Sequence, residues 1–330
     1  MRSVLFSALL SFAAASAFAN DSTAELATGG LVFVQNPNVE MRSEQLFISL
    51  QQVRVTYHFL NNSDQDVTNL VAFPLPDIVF DSPDSDIAIP ISDSSNFLGF
   101  KTVANGRPVT TQVEQKVFAK GVDQTALLQQ LGIPLAPQLP STDAALDKLP
   151  RDQWQKLVDL GLGYIDEYDD TGTGMKQHLE PRWTLKTTFY WQQTFPAHQE
   201  LVIEHEYQPS VGDSVETLIG NPQFSEPEGY KQKYCTDPDF LAAAAQSWQR
   251  ANRANARPDV EQRIDYILST GANWAGPIAD FTLVVDKGAP ANLVSFCANG
   301  VKKISPTQFQ VHYTNFTPKS ELAILILSPP

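Results

Sequence analysis

The sequence has few positive charges for its length. Its 330 residues include 23 Lys and Arg against 37 Asp and Glu, which gives a formal net charge of −14, and no basic run occurs. Nucleic acids and anionic membrane surfaces attract proteins through clustered Lys and Arg. We therefore exclude nucleic-acid binding as a function of this chain.

Long apolar runs are also missing, except at the start of the chain. Met1-Arg2 precedes an apolar stretch from Val4 to Ala17, and Ala17-Phe18-Ala19 places small residues at −3 and −1 of a cleavage point. This is the pattern of a secretory signal peptide, and the stretch is shorter than the ~20 residues of a membrane-spanning helix. We predict cleavage after Ala19, and a periplasmic or secreted protein that is not an integral membrane protein. An uncleaved membrane anchor is the alternative.

Cysteine is scarce. The two cysteines, Cys235 and Cys297, are far apart in sequence. An even number of cysteines in an exported chain indicates pairing. A redox pair usually has Cys-x-x-Cys spacing, and two cysteines without a nearby His make a poor zinc site. We therefore predict a structural disulfide between Cys235 and Cys297.

Complete catalytic motifs are absent as well. The sequence contains no His-Glu-x-x-His zinc motif, no Gly-x-Ser-x-Gly elbow and no phosphate-binding loop. Asp170-Thr171-Gly172-Thr173 spells the aspartic-protease tetrad, but it occurs once and follows an acidic segment, so we interpret it as a surface turn. We predict no catalytic residue, no metal site and no cofactor.

The histidines and two acidic clusters are candidate metal ligands. His58 and His312 lie on the polar faces of their predicted strands, whereas His205 lies on an apolar face and is predicted to be a hydrogen-bonded core residue. Two acidic clusters could offer oxygen ligands to calcium, although neither has the spacing of a twelve-residue calcium loop. They are Asp81, Asp84, Asp86 and Asp93, and the run from Asp166 to Asp170. Solubilising loops are the simpler interpretation, and calcium binding stays open.

What the sequence does contain is alternation with a period of two, which is typical of strands with one buried face. The clearest examples are 53–59, 183–191, 201–207, 281–285 and 309–313, with a fully apolar strand at 322–327. Asn61 to Asp64 has turn chemistry, and Val67 to Phe73 is predicted to be the strand that returns after it. This pattern favours a mainly β protein with β-sandwich-like antiparallel domains.

Helices are a minority, and they suggest the domain boundaries. Segments 124–131 and 154–160 have helical spacing, and a third helix is predicted over 237–253 with Asp237 at its start. We predict a signal peptide at 1–19, an N-terminal β domain at 20–211 with a helical insertion near 122–165, a linker at 212–234 and a C-terminal β domain at 235–330. One helical segment, 237–253, lies between the β regions.

Tryptophans suggest where a ligand could bind. Trp183 and Trp191 belong to a strictly alternating strand, so core packing is expected for both. Trp274 lies among Gly, Asn and Pro, where an exposed ring is expected. We therefore select Asn273 and Trp274 as the candidate binding residues.

Several short motifs together resemble a bacterial exported family that is classed only as a domain of unknown function. They are Asp21-Ser22-Thr23-Ala24, Gly29-Gly30-Leu31, Phe73-Pro74-Leu75-Pro76-Asp77, Asn105-Gly106-Arg107-Pro108-Val109, the segment from Trp191 to Pro196, Thr270-Gly271-Ala272-Asn273-Trp274, Gly276-Pro277-Ile278 and Ser295-Phe296-Cys297. The resemblance spans almost the whole chain after residue 20 and implies no reaction.

A looser likeness covers Gln51 to Val211. The order of strands, the Asn-Ser turn and Phe-Pro-Leu-Pro is similar to the β domain of inter-alpha-trypsin inhibitor heavy chains. Those proteins also carry a von Willebrand A module, whose Asp-x-Ser-x-Ser metal motif does not occur here.

These observations favour a non-catalytic binding or scaffold protein of the bacterial periplasm. An unknown envelope protein or glycan is the expected partner. The alternative is a hydrolase whose acidic catalytic residues lie on separate strands, where motifs would not reveal them. Metal-dependent adhesion and chaperone-like strand capture are further alternatives.

Overall fold

The computed structural model describes residues 20–27, 30–80, 87–91, 95–169, 172, 174–214, 216–227 and 229–330. The strands are β1 (Ser22–Ala27), β2 (Gly30–Val34), β3 (Val39–Ser49), β4 (Val53–Asn61), β5 (Val67–Pro74), β6 (Ile78–Val79), β7 (Ile87–Ala88), β8 (Lys101–Ala104), β9 (Arg107–Val109), β10 (Gln112–Ala119), β11 (Val122–Asp123), β12 (Gly163–Tyr168), β13 (Lys176–Pro181), β14 (Thr184–Phe195), β15 (Glu200–Tyr207), β16 (Val211–Asp213), β17 (Val260–Tyr266), β18 (Ile278–Asp286), β19 (Leu293–Phe296), β20 (Lys302–Lys303), β21 (Gln308–Phe316) and β22 (Leu322–Ser328). The helices are α1 (Thr125–Gln130), α2 (Pro140–Asp147), α3 (Arg151–Leu160), α4 (Tyr230–Tyr234) and α5 (Pro238–Arg253), with a 3₁₀ turn at Ser269–Asn273. The predicted mainly β fold is confirmed.

Two large sheets form the body of the molecule. One has eight strands in the order β20-β21-β18-β3-β4-β15-β8-β9, and the other has the order β11-β10-β14-β5-β1-β2, with β6 paired to β14. Aromatic rings from both sheets meet in one core, where Phe100 stacks on Phe189 at 4.3 Å and Phe59 lies 5.7 Å from Phe195. The sheets therefore pack face to face as a sandwich.

The alternating segments form strands with the predicted buried faces. In β14 and the residue before it, Trp183, Leu185, Thr187, Phe189 and Trp191 are buried. In β15 the buried residues are Leu201, Ile203, His205 and Tyr207. However, β4 and β5 do not pair with each other, because β4 joins the eight-stranded sheet and β5 the other. The turn after β4 thus carries the chain from one sheet to the opposite one.

The helical insertion lies at one end of the second sheet. The predicted helices α1 and α3 are present, and α3 buries Trp154 and Leu157 before ending at Gly161, whose φ of 79° suits glycine. Helix α2 was not predicted; it begins at Pro140, which serves as a first-turn residue. The indole of Trp183 donates to the Leu135 carbonyl at 2.8 Å and ties the insertion to β14.

A smaller sheet completes the C-terminal region, with the order β19-β22-β17-β16-β7. Strand β22 is buried on both faces: Leu322, Ile324 and Ile326 join the main core, while Ala323, Leu325 and Leu327 pack on Ile219, Tyr234 and Phe240. Helix α5 covers this second face, and the Asp237 side chain accepts from the Phe240 amide at 2.7 Å as its N-cap. Double-sided burial explains the continuous apolar run.

Strands from both sides of the predicted linker share one sheet. β18, which follows the linker, pairs in parallel with β3 over Asp280 to Asp286. The linker segment itself contains the short strand β16, the buried residue Ile219 and helix α4. The division at 212–234 stays a prediction, and the main core extends across it.

The predicted disulfide is confirmed. Cys235 follows α4, Cys297 follows β19, and their Cα atoms are 4.9 Å apart. The bond ties the α4–α5 layer to the small sheet. Across the described part of the chain, none of the helices combines the length and apolar character that crossing a bilayer requires.

Replacing both cysteines by serine should lower the free energy of unfolding by about 2–4 kcal/mol, because the cross-link restricts a long loop in the unfolded chain. Urea unfolding of this double variant and of the oxidised protein measures the difference. Adding a reductant should weaken the oxidised protein by a similar amount and leave the variant unchanged. A loss below about 0.5 kcal/mol would contradict the stabilising role.

Candidate functional site

A groove of about 730 Å³ lies between β2 and β14. Strand β2 lines one side of this groove and pairs with β1 at one end of the second sheet. The Leu31 amide of β2 donates to Glu114 Oε1 of β10 at 3.1 Å. The sheet therefore curls until its last strand approaches β10. Gly30 makes this approach at a φ of 108°, a conformation that suits glycine.

The lining of this groove is apolar with a few polar groups. Its residues are Leu31, Val32, Phe33, Pro74, Leu75, Asp77, Phe118, Lys120, Gly121, Thr184, Lys186, Thr187 and Thr188. Cavities of about 300–1,000 Å³ with apolar walls and a small number of placed polar groups are typical ligand sites. The groove therefore has the size and composition to hold a small ligand.

Lys186 is the charged group in the groove wall that comes from β14. Its Nζ lies 2.7 Å from Asp77 Oδ2, and it lies 5.7 Å from the centre of the Phe118 ring. The side chains of Lys186 and Asp77 are 38 % and 26 % exposed, so the pair can be reached from solvent. The ammonium group is held in place by a carboxylate and by the face of an aromatic ring.

Lys120 contributes a second positive charge. It occupies the turn between β10 and β11 at a φ of 49°, beside Gly121. Non-glycine residues rarely adopt this conformation. Its Nζ donates to the Asp159 carbonyl at 2.7 Å, at the C-terminal end of α3, where a cation is favoured. The insertion therefore holds the Lys120 side chain, which lines the groove.

A second cavity of about 340 Å³ adjoins the groove and shares Phe118, Lys120 and Thr184 with it. Arg182 also lines this second cavity. Among the described lining residues of both cavities, three are cationic and one, Asp77, is anionic. In a chain with a net charge of −14, this is a local positive region.

A different cluster of polar groups is buried between the two large sheets, directly before β1. We call it the buried polar cluster, and its members are Asn20, Asp21, Glu44, Tyr57, His205, Tyr266, Thr270 and Trp274. All are at most 4 % exposed. His205 links the strands around it: Nδ1 lies 3.0 Å from Thr102 Oγ1, and Nε2 lies 3.1 Å from Asp21 Oδ1.

Asn20 is the other centre of the buried polar cluster. Its Nδ2 donates to Glu44 Oε2 at 2.9 Å, and its Oδ1 accepts from the Tyr57 hydroxyl. The Asn20 backbone nitrogen donates to Thr270 Oγ1, and the indole of Trp274 donates to the Asp21 carbonyl at 2.7 Å. The segment before β1 is thus anchored by side chains from four distant parts of the chain.

Burial changes the acidity of this cluster. Loss of hydration raises the pKa of Glu44 to about 8, against the hydrogen bond from Asn20. It also raises the pKa of Asp21, opposed by the nearby His205. Asp21 Oδ2 and Glu44 Oε1 have no hydrogen-bond partner. Both side chains are completely buried.

The predicted binding residues lie in this cluster or beside it. The expectation of an exposed Trp274 ring is wrong: the ring is 4 % exposed and packs 4.4 Å from Phe59. Asn273 Nδ2 donates to Ser22 Oγ at 2.9 Å. Both polar side chains bind the start of β1, and a ligand site at Asn273 and Trp274 stays a prediction.

Each histidine lies beside a carboxylate rather than beside another histidine. The pairs are His58–Glu200, His178–Asp147, His198–Asp64, His205–Asp21 and His312–Asp280. The predicted core role of His205 is confirmed. Across the described residues, no group of three or more His, Cys, Asp or Glu side chains is arranged to hold a metal ion.

The acidic segments are described only in part. Asp81, Asp84, Asp86, Asp93 and Asp170 lie outside the described residues, as do Thr171 and Thr173 of the Asp-Thr-Gly-Thr tetrad. The interpretation of Asp166 to Tyr168 as a loop is wrong, since they belong to β12 and pair with β13. The side chains from Ile165 to Tyr168 in β12 are exposed, so acidic residues are compatible with a strand there.

Sequence patterns indicated one wall of the groove but not the groove itself. Lys186, Thr184 and Thr188 alternate with the buried face of β14, so their exposure was predicted. Nothing local to 30–34 signals that β2 returns over this wall. In the sequence, Gly30 followed by the apolar residues 31–34 indicates a strand there, but not its position over the groove.

Comparisons with known proteins give a family but no activity. A family model described as a domain of unknown function, DUF4424, matches residues 19–325 and confirms the resemblance noted from the motifs. A search of curated proteins found no match. The structure is also similar to one from Legionella pneumophila, described as a "putative nutrient binding protein", with 15 % identity, a TM-score of 0.45, and coverage of 94 % of this chain and 70 % of that one. A TM-score this low does not establish a common fold.

Proposed function

The chain belongs to DUF4424, a family of unknown function, and from that premise we propose an exported, non-catalytic binding protein. The groove between β2 and β14 would hold a small amphiphile with an apolar body and an anionic group. One observation carries this proposal: a groove of about 730 Å³ combines apolar walls with Lys120 and Lys186 in an acidic chain.

Charge supports the choice of an anionic group. An anion would be repelled by most of the protein surface, so a local positive region would direct it to the groove. Lys186 is prepositioned by Asp77 and Phe118, and it retains donors for a ligand carboxylate, since an ammonium has three N–H groups. The apolar body would contact Leu31, Leu75 and Phe118.

The compartment is part of the proposal. A cleaved signal peptide at residues 1–19 would place the protein in the periplasm or outside the cell, where a structural disulfide persists. An amphiphile of the bacterial envelope would then be available to it. Trp183, Trp191 and Trp274 are all buried, so they offer no aromatic platform to a glycan.

The hydrolase alternative has less support. Asp21 and Glu44 lie in one buried cluster and are completely buried, and the buried Asp259 and Glu261 accept hydrogen bonds from Ser247 and from Thr217 and Tyr230. Asp77 and Asp265 share a small cavity of about 130 Å³, but each is paired with a lysine. We therefore propose no reaction.

Binding of dodecanoate, measured by calorimetry below its critical micelle concentration, tests the groove. Dodecanoate should bind more tightly than dodecyl maltoside or dodecyltrimethylammonium. Lys186→Gln should raise the dissociation constant for dodecanoate about tenfold or more, because a hydrogen bond to a charged group is worth about 1.5–3 kcal/mol. Leu31→Asp should weaken all three probes by placing a carboxylate in the apolar wall.

Two matched variants serve as controls. Lys101→Gln removes an exposed lysine of β8, and Leu218→Asp changes an exposed leucine that does not line the groove. Neither should change binding. Equal affinity for the three probes, or equal effects of Lys186→Gln and Lys101→Gln, would contradict the proposed ligand class.

A further inference from the structure

The buried polar cluster contains more acid than base. Asp21 and Glu44 are both completely buried. His205 forms an ion pair with Asp21. Within the described residues, no Lys, Arg or His forms an ion pair with Glu44, which accepts a hydrogen bond from the neutral amide of Asn20. Carboxylates are rarely buried without a cationic partner.

Each carboxylate also has an oxygen without a hydrogen bond. These atoms are Asp21 Oδ2 and Glu44 Oε1. An unmet acceptor in a dry interior is costly, and two of them in one cluster indicate that a donor is missing. The missing group should be a cation with several N–H donors.

The Asn20 nitrogen is placed to become that cation. It is buried beside Thr270 Oγ1, to which it donates. It belongs to the residue whose own side chain contacts Glu44, and it precedes Asp21 by one residue. This nitrogen is therefore joined to the surroundings of both carboxylates, to Asp21 through the backbone and to Glu44 through the Asn20 side chain.

We propose that the buried polar cluster is a site for the α-ammonium group of Asn20, created when the chain is cut between Ala19 and Asn20. This inference rests on the signal-peptide cleavage of the proposed function. A signal-type peptidase adds one water across the Ala19–Asn20 peptide bond, so that Ala19 leaves with a carboxylate and Asn20 keeps an amine. The amine binds a proton and becomes an ammonium.

Cleavage changes both the charge and the number of donors. The amide nitrogen has one hydrogen, which goes to Thr270. The ammonium has three, so one can remain on Thr270 while two reach the free oxygens of Asp21 and Glu44. The processed chain is therefore more stable than a chain in which residue 19 is still attached.

Four chains test this inference by urea unfolding at pH 7. They begin at Asn20 or at Ala19, each with Glu44 or with Glu44→Gln. The extra alanine should lower the folding equilibrium constant at least about tenfold, the equivalent of one pKa unit of interaction. Glu44→Gln should cause a similar loss in the chain that begins at Asn20, and no loss in the chain that begins at Ala19.

This design separates charge from steric effects. Crowding by the extra alanine would not depend on the charge at position 44, so the two changes would then add. Additive effects would overturn the inference. Glu204→Gln, an exposed acid on β15, is the matched control and should have no effect in either chain.

Amine labelling gives a second measurement if the longer chain does not fold. In the native chain that begins at Asn20, the α-amine should react with an acylating reagent at least tenfold more slowly than in 6 M urea. Equal rates would overturn the inference. Mass spectrometry of the exported protein tests its premise separately: a first residue other than Asn20 would overturn both the processing and this inference, whereas an Asn20 start with additive effects would overturn this inference alone.

Discussion

Replacing Trp274 by alanine is expected to lower the free energy of unfolding by about 3–5 kcal/mol, as for other large buried aromatic residues. The indole is 4 % exposed and lies between Phe59 and Phe195, with ring centres 4.4 and 5.7 Å away. Its N–H also donates to the Asp21 carbonyl at 2.7 Å. Truncation would leave a cavity in the main core and an acceptor without its donor. Urea unfolding followed by circular dichroism measures the loss.

Two further variants divide this effect. Trp274→Phe keeps most of the packing but removes the N–H donor, so a smaller loss of about 1–3 kcal/mol is expected. Phe224→Ala changes an aromatic residue that is 52 % exposed and should stay within about 0.5 kcal/mol of the parent protein. Equal, small effects of Trp274→Ala and Phe224→Ala would show that Trp274 is not a core residue.

The burial of Trp274 could not be predicted from its neighbours. The residues around it, including Asn273, Gly276 and Pro277, are typical of an exposed turn. Its surroundings in the fold come from elsewhere: Asp21 lies about 250 positions earlier, and Phe59 and Phe195 belong to opposite sheets. The residues next to Trp274 in sequence predict a turn of the backbone, but they do not predict which distant residues pack against its side chain.

Strands with one buried face were predictable because their signal is local. A period of two in residues 201–207 determines which side chains face the core, whichever strands become neighbours. Helix α5 was equally clear, since Asp237 caps it and Arg250 and Arg253 lie in its last turn. Helix α2 was not predicted, although proline at its first position is compatible with the start of a helix.

Long-range pairing was not predictable. Nothing in residues 39–49 or 278–286 indicates that β3 and β18 lie side by side in parallel, more than 200 residues apart. In the sequence, β4, the turn after it and β5 resemble a hairpin, although the two strands belong to different sheets. The groove and the buried polar cluster both depend on such pairings, and neither forms a motif along the chain.

The cluster and the groove are joined through the start of the chain. Asn20 and Asp21 lie in the cluster, β1 begins at the next residue, and β1 pairs with β2. Side chains that hold Asn20 therefore also position the hairpin that covers Lys186. A chain with a weakened cluster should lose ligand affinity as well as stability.

Stability should depend on pH through Glu44, most clearly in a chain that begins at Ala19, where the Asn20 nitrogen is an amide. Burial raises the pKa of Glu44 from 4.5 to about 8 in the folded protein. Between these values the folded state binds the extra proton, so stability is fully present below about pH 4.5 and is lost as pH rises to about 8. The expected slope is at most about 1.4 kcal/mol per pH unit.

The other ionisable groups around Glu44 act in known directions. The pKa of Asp21 is also raised, so it adds to the loss, while burial keeps Tyr57 and Tyr266 neutral by raising the pKa of each hydroxyl well above its ordinary value. Glu44→Gln should therefore flatten the profile between pH 5 and 8 without abolishing it, and Glu204→Gln should leave it unchanged. A stability that rises over this range, or a slope that Glu44→Gln does not reduce, would contradict the assignment. In the chain that begins at Asn20 the same slope should be smaller, because an ammonium beside Glu44 favours its charged form and lowers its pKa.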